Sequence, residues 1–423
     1  MRQIILSTLI CLLAFSCKQD KEISKKEYLN NNNYDLNLEE FEFPQQGFKI
    51  IGFGAYHGSA KTEDIELKLI QSLTKQNAIK YYLPETDFSI AHYFDYYLNT
   101  GDTLLLKDLV TTYGSRVPQD RSIETYNKWK QLRTINEALP RDKKLKVLGI
   151  DLLVSYKYTS KHILELIDSK TSLSQAHENL KHMVSMDTTD YSIGYESYSK
   201  RVFREFVADF EQNKKLFYDA IAKKEDFNHI IANIKVTFRD FRKDREPTIY
   251  SNYIALKKRF SFELNPQFMR MGFSHLMKSR EGKKGYSYFF NRLIENNIYD
   301  KNTIVSVIGY LTKSHVVWDE IYDDNGKYTG YTTEGGYGIG DYEKEYFRGI
   351  VNLKDTKLSD KTLYRLNGKD SPYFQKEPDL IEVIMTDEPS NGEAVRGMST
   401  LDFIDYAILI SDSKASRPIY EME

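Results

Sequence analysis

The chain has 423 residues, 41% hydrophobic and 13% aromatic with 32 Tyr, and a formal charge of −2 at pH 7. That is enough apolar material for a substantial core, in one large domain or two smaller ones. The near-balanced charge argues against nucleic acid as a partner.

The first residues read as a signal. Arg2 supplies a positive start, Ile4 to Phe15 is almost wholly apolar, and the small Ser16 precedes Cys17. This is the layout of a secretory signal. The run falls short of the about 20 residues that span a bilayer as a helix. Leu13-Ala14-Phe15-Ser16-Cys17 resembles a lipobox, with Ala14 and Phe15 departing from the usual Leu and small residue. Cys11 and Cys17 are the only cysteines, so the body beyond residue 17 has no disulfide and no thiol catalyst. A cysteine at a mature N-terminus is an attachment point for acyl chains, each buried methylene adding about 0.8 kcal/mol. The expected location is outside the cytoplasm, lipid-anchored to a bacterial membrane through Cys17, with the outer membrane favoured. Loss of the signal, which carries only Arg2, takes the charge to −3.

Residues 18–45 are expected to form a flexible tether: they are rich in Lys, Glu and Asn, with the run Asn30-Asn31-Asn32-Asn33. Residues 46–423 form the body. Six short apolar runs predict buried strands: Phe48 to Phe53, Ile79 to Leu83, Leu145 to Ile150, Phe268 to Gly272, Thr303 to Gly309 and Tyr406 to Ile410. Between the first two lies a helix, with Thr62 as its N-cap, Glu63 and Asp64 in the first turn, and Ile65, Leu69, Ile70 and Leu73 on one face. Strand, helix, strand at this spacing is a βαβ unit. Residues from about 155 to 260 are charged and helical in pattern, an insertion or cap beside the sheet. Asp323 to Tyr346, rich in Gly and Tyr, predicts a long loop. The fold class is therefore α/β, with a mostly parallel central sheet flanked by helices.

The polar residues fall at strand ends. His57 follows the first strand, Glu85 closes the second, Asp151 the third and His275 the fourth. If those strands are parallel, all four side chains share the carboxyl rim, where open α/β folds put their ligands. Gly52, Gly54 and Gly58 around His57 favour a sharp turn and close substrate approach. Two histidines and two carboxylates suit a general base oriented by a carboxylate. They equally suit a divalent metal held by His57, Glu85 and His275, although no compact metal signature is present. His315, after the fifth strand, is a secondary candidate. His92, His162, His177, His182 and His229 lie in helical or charged stretches and read as packing or surface residues. No Gly-x-Ser-x-Gly elbow supports a serine hydrolase.

These residues resemble the erythromycin esterase family, whose α/β fold is shared with haem-binding ChaN-like lipoproteins. Ala55-Tyr56-His57-Gly58 is similar to the end of the family's Gly-Glu-x-x-His-Gly motif, and Glu85 stands where its second-strand glutamate is expected. Trp129, Leu132, Arg133 and Asn136 followed by Gly149-Ile150-Asp151 look like its next block. Arg245-Glu246 with Asn252, His275, and the strand near Asp405 complete the likeness. The resemblance implies a hydrolase acting on an ester or related acyl bond of a small molecule. His57 would be the general base for water, Glu85 and His275 would shape the site, and Arg245 would help hold it. It implies no obligatory cofactor. The family's first-motif glutamate falls on Gly54 here, and Glu63 or Asp151 is the expected substitute. The alternative is a non-catalytic lipoprotein that binds haem or a glycan in the same cleft.

Overall fold

The six apolar runs are the six strands that pair in parallel among the described residues. A computed structural model describes residues 24–422 apart from 169–171, 187, 240–241 and 336–340. The signal, Cys17 and most of the glycine run after Gly335 therefore lie outside the described residues.

In chain order the strands are β1 (Asn33–Asp35), β2 (Ile50–Gly54), β3 (Tyr81–Leu83), β4 (Lys146–Val147), β5 (Gln267–Arg270) and β6 (Ile304–Thr312). Then come β7 (Val316–Tyr322), β8 (Tyr328–Glu334), β9 (Asp341–Tyr342), β10 (Glu345–Phe347), β11 (Lys361–Arg365), β12 (Val383–Met385) and β13 (Tyr406–Ser411). Eight of them form one sheet in the order β1-β11-β13-β6-β2-β5-β3-β4. Every pairing from β13 to β4 is parallel, and β11 and β1 close the other edge antiparallel. Successive side chains of a strand point to opposite faces. Ile50, Ile304 and Ile308 accordingly join one core, and Ile51, Phe53, Val305 and Val307 the other. A parallel sheet covered on both faces reads as an unbroken apolar run, which is why these strands are visible in the sequence.

The helices beside the sheet are α1 (Lys25–Asn31), α2 (Ala60–Lys75), α3 (Phe88–Thr100), α4 (Thr103–Tyr113) and α5 (Ile123–Ala138). The expected helical insertion follows as α6 (Tyr156–Leu166), α7 (Gln175–Ser185), α8 (Tyr198–Gln212), α9 (Lys214–Ala220), α10 (Lys224–Val236) and α11 (Arg245–Arg259).

Three expectations are corrected. The tether over 18–45 is not one across its described part: Ser24 caps α1, β1 pairs with β11, and Tyr28, Leu29, Leu36, Phe41 and Phe43 are buried. Their scattered apolar side chains are too sparse to read as a period, yet each finds a slot at the sheet edge. The N-cap position of α2 is Ser59, not Thr62. Gly58 turns the chain with φ +82°, so the helix begins earlier and Thr62 is buried within its first turn. The expected loop at Asp323 to Tyr346 is largely strand. β7 and β8 make an antiparallel hairpin, and β9 and β10 pair with each other, β10 also with β12. β8 reads Tyr328-Thr329-Gly330-Tyr331-Thr332-Thr333-Glu334 on a largely exposed surface, a composition that without apolar alternation reads as loop.

Candidate active site

The carriers of His57, His275, Glu85 and Asp151 are β2, β5, β3 and β4, four consecutive neighbours in the sheet. Their carboxyl ends therefore deliver the four side chains side by side along one rim. Local glycines permit the crowding. A Cβ on Gly149 would lie 2.1 Å from the Asp87 carbonyl oxygen. With no side chain there, the end of β4 closes on the turn after β3, and the Asp151 N–H donates to the Thr86 carbonyl at 3.0 Å. Asp87 caps α3 by accepting from Ser89 and Ile90 N–H, so the turn that aims Glu85 is fixed from both sides.

His57 is oriented by a residue that strand-end reasoning missed. Both carboxylate oxygens of Asp120 lie 3.0 Å from His57 Nδ1. Asp120 ends the short 3-10 turn Pro118–Asp120, and β7 ties to it and to the His57 turn: Gln119 Nε2 donates to the Trp318 carbonyl at 3.4 Å, and Val317 N–H to the Gly58 carbonyl at 3.0 Å. Nδ1–H donates to Asp120, so Nε2 is the free acceptor. Burial alone would lower the His57 pKa, but the charge and hydrogen bond of Asp120, with Glu85 beyond, raise it above the ordinary value. Asp120 itself is pulled below its ordinary value: burial opposes ionisation, and His57 outweighs it.

His57 Nε2 faces Glu85 Oε2 at 3.9 Å. That oxygen is buried with no hydrogen-bond partner among the described residues. The other Glu85 oxygen accepts from Arg245 Nη2 at 2.5 Å. Arg245, from the start of α11, also grips Asp151 with Nε at 3.1 Å and Nη2 at 2.7 Å. Arg116 Nη1 approaches Asp151 at 3.4 Å. Burial would raise the pKa of both carboxyls, but His57 and Arg245 hold Glu85 below its ordinary value, and Arg116 and Arg245 hold Asp151 far below. Both are anions at neutral pH, so Glu85 accepts hydrogen bonds and cannot serve as an acid.

The second histidine also has a carboxylate at Nδ1, close but not aligned for a hydrogen bond. His275 Nδ1 contacts the buried Glu246 carboxylate, leaving its Nε2 free. Gly272 lies between the two rings: a Cβ there would be 4.0 Å from both His57 Nε2 and His275 Nε2. Two imidazole edges thus converge on a space that a glycine keeps open.

Position 54 explains its own residue. A Cβ on Gly54 would meet Leu276 at 3.1 Å and the Phe273 Cα at 3.2 Å, so a side chain there crowds its neighbours. The carboxylate on His57 comes from Asp120 instead, a position that no local motif marks. The expected substitutes sit elsewhere. Asp151 belongs to the Arg245 cluster. Glu63 is buried against Lys128 at 2.6 Å, with Glu66 on the same ammonium at 2.8 Å, behind the Asp120 turn. His315 is exposed beside Gly335 and does not join the rim; β6 ends at Thr312 and carries the chain past the site. His162 and His229 are packed around Phe88 in the cap, with ring centroids 5.7 and 4.8 Å from it. Among the described residues no group of three or more His, Cys, Asp or Glu side chains is placed to hold a metal ion. His57, Glu85 and His275 are not such a group, although a carboxylate on each Nδ1 leaves each Nε2 available as a ligand.

Two cavities flank this rim. One of about 350 Å³ begins at Tyr56 and His57. A larger one of about 600 Å³ lies on the cap side of Arg116, lined by Ser115, Ser155, Tyr191 and Ser192, and touches neither imidazole.

No protein-family model matches the chain, and no curated protein is similar to it in sequence. Solved structures are similar in fold. A Bacillus cereus protein superposes with a TM-score of 0.59 at 16% identity, covering 93% of this chain and 98% of its own. A protein described as a succinoglycan biosynthesis protein gives 0.61 at 15% identity, over 94% and 99%. A point mutant of the erythromycin esterase EreC in its open conformation gives 0.51 at 12% identity, over 88% and 92%. The chain therefore has the erythromycin esterase fold, as the resemblance of its strand-end motifs implies.

Proposed function

We propose that this protein is a hydrolase that directs water onto an ester or related acyl bond of a small molecule. One observation carries the reading: His57 Nε2, freed by Asp120, and the unpartnered Glu85 oxygen face each other at 3.9 Å across open space toward His275. A water held there donates one O–H to Glu85 and the other to His57 Nε2. As its oxygen bonds to the acyl carbon, His57 takes the proton and Asp120 stabilises the imidazolium. His275, with protons on both ring nitrogens and Glu246 beside Nδ1, donates from Nε2 to the carbonyl oxygen, then gives that proton to the departing alkoxide and ends neutral. The products are an acid and an alcohol. Positioned acid and base groups of this kind contribute about 10²- to 10⁴-fold each.

The test is an ester panel with wild type and His57→Ala. Hydrolysis by the first and none by the second is expected; full activity in the variant overturns the mechanism. Gly54 favours a non-catalytic reading by leaving no carboxylate at that position, and Asp120 supplies one to His57 instead. Absorption spectra after haem addition, run beside the panel, separate the two. A chelator arm checks metal dependence in the same assay.

Export and a lipid on Cys17 belong to the same proposal. They are supported by the apolar run from Ile4 to Phe15, the small Ser16 before Cys17, and the lack of any cysteine beyond residue 17. Among the described residues no helix is long and apolar enough to cross a membrane. Cys17→Ser should move the protein from the membrane fraction to the soluble one.

A further inference from the structure

The 350 Å³ cavity at His57 is built from two kinds of wall. Phe273, Met277, Phe347, Ile381 and Val383 make it apolar. Phe347 is held in place by aromatic packing, its ring 5.7 Å from Phe273 and 4.9 Å from Tyr310. Tyr310 in turn donates its hydroxyl to the Leu380 carbonyl at 2.6 Å. Phe347 and Val383 come from the small sheet of β10 and β12, and Phe273 and Met277 from the turn that carries His275.

Glu281 and Asn391 complete the lining. Asn391 is fully engaged: its amide donates to the Ile381 carbonyl at 3.1 Å and to Glu281 Oε1 at 3.3 Å, and its oxygen accepts from Val383 N–H at 2.9 Å. Glu281 has that amide and, among the described residues, no cationic side chain within ion-pair distance. Glu281 is half-buried at this wall, and a positive or hydrogen-donating group is the complement of a carboxylate there. Every other carboxylate at this rim already has such a partner in the protein. Glu281 does not, and it faces the cavity that starts at the base.

We propose that this cavity receives an apolar arm of the substrate tipped with an ammonium group, and that Glu281 reads the charge. The inference rests on the hydrolase reading for the word substrate, not for the binding itself. At roughly 30 Å³ per non-hydrogen atom, the volume of a water in the liquid, the cavity takes an arm of roughly ten such atoms. His57 then lies at the mouth, where the arm meets the scissile bond.

The experiment uses hexylammonium and hexanol as probes, titrated calorimetrically into the full chain and into Glu281→Gln and Glu281→Lys. The p-nitrophenyl esters of hexanoic and 6-aminohexanoic acid run in parallel. Wild type should bind hexylammonium about tenfold more tightly than hexanol, and Glu281→Gln should bring the two together. Glu281→Lys should reverse the order, which a merely misfolded variant would not do. The aminohexanoyl ester should be preferred by a similar factor. Binding with the expected charge dependence but no turnover of either ester defeats the hydrolase reading and leaves the cavity assignment standing. Turnover or binding that ignores the charge, in wild type and variants alike, overturns the assignment and leaves the hydrolase reading intact.

Discussion

Asp120 holds His57 Nδ1 with both carboxylate oxygens at 3.0 Å, although 63 residues separate them. The pair sets both the tautomer and the titration of the base. Burial pulls the His57 pKa down, but Asp120 and Glu85 raise it above the ordinary 6.5. A base must be neutral to act, so hydrolysis should climb as pH rises through a value above 6.5. Asp120→Asn removes the raising charge while burial remains. The climb should move to lower pH, and the plateau rate should fall by about 100-fold or more. Rate profiles of the two proteins against pH check this; an unmoved profile removes Asp120 from the mechanism.

Gly272 offers a test that separates folding from chemistry. Its φ of −60° suits any residue, and an added Cβ would meet the His275 ring at 3.5 Å and both Nε2 atoms at 4.0 Å, ordinary contacts. Gly272→Ala should therefore fold with an unfolding midpoint close to wild type. The methyl group would occupy the space where the two imidazoles converge, so activity should drop by about tenfold or more. Activity equal to wild type would show that reaction takes place elsewhere.

Much of this site was legible because parallel sheets are simple to read. An apolar run ending in His, Glu or Asp names both the strand and its rim residue, and β2, β3, β4 and β5 all follow that rule. What pairs across the rim was not legible. Asp120 sits in a 3-10 turn, and Glu246 hides inside the first turn of α11, where an acidic residue reads as favouring the helix dipole. The Arg245 cluster was visible only through family likeness. The N-terminal segment misled for a different reason. Tyr28, Leu36, Phe41 and Phe43 are each buried singly against the sheet edge, so no period announces them.

Arg245 should matter for stability as well as for rate. It is the common donor to Glu85 and Asp151, and both carboxylates are almost fully buried. Removing one partner of a buried ionic cluster leaves charges uncompensated, at a cost of about 3–5 kcal/mol. Arg245 is itself partly exposed and Arg116 remains near Asp151, so Arg245→Ala should cost less, about 2–4 kcal/mol. Urea unfolding at neutral pH measures it. The loss should shrink below the ordinary carboxyl range, because stability from depressed carboxyl pKa values disappears as they protonate.

The cap should make the whole fold sensitive to mild acid. His162 and His229 are packed around Phe88, and burial pushes their pKa values down to about 3 and about 4. In the unfolded chain both would titrate at the ordinary 6.5. Between those limits the unfolded state binds more protons than the folded one, so stability falls as pH falls. His57 works the other way: its raised pKa gives stability that is complete below 6.5 and lost as pH rises through the folded value. Wild type should therefore unfold at lower urea concentration at pH 5 than at pH 7. His229→Phe keeps an aromatic contact with Phe88 and removes one proton from the balance, so its difference between the two pH values should be smaller. An identical difference in both proteins would show that His229 does not contribute to the acid sensitivity.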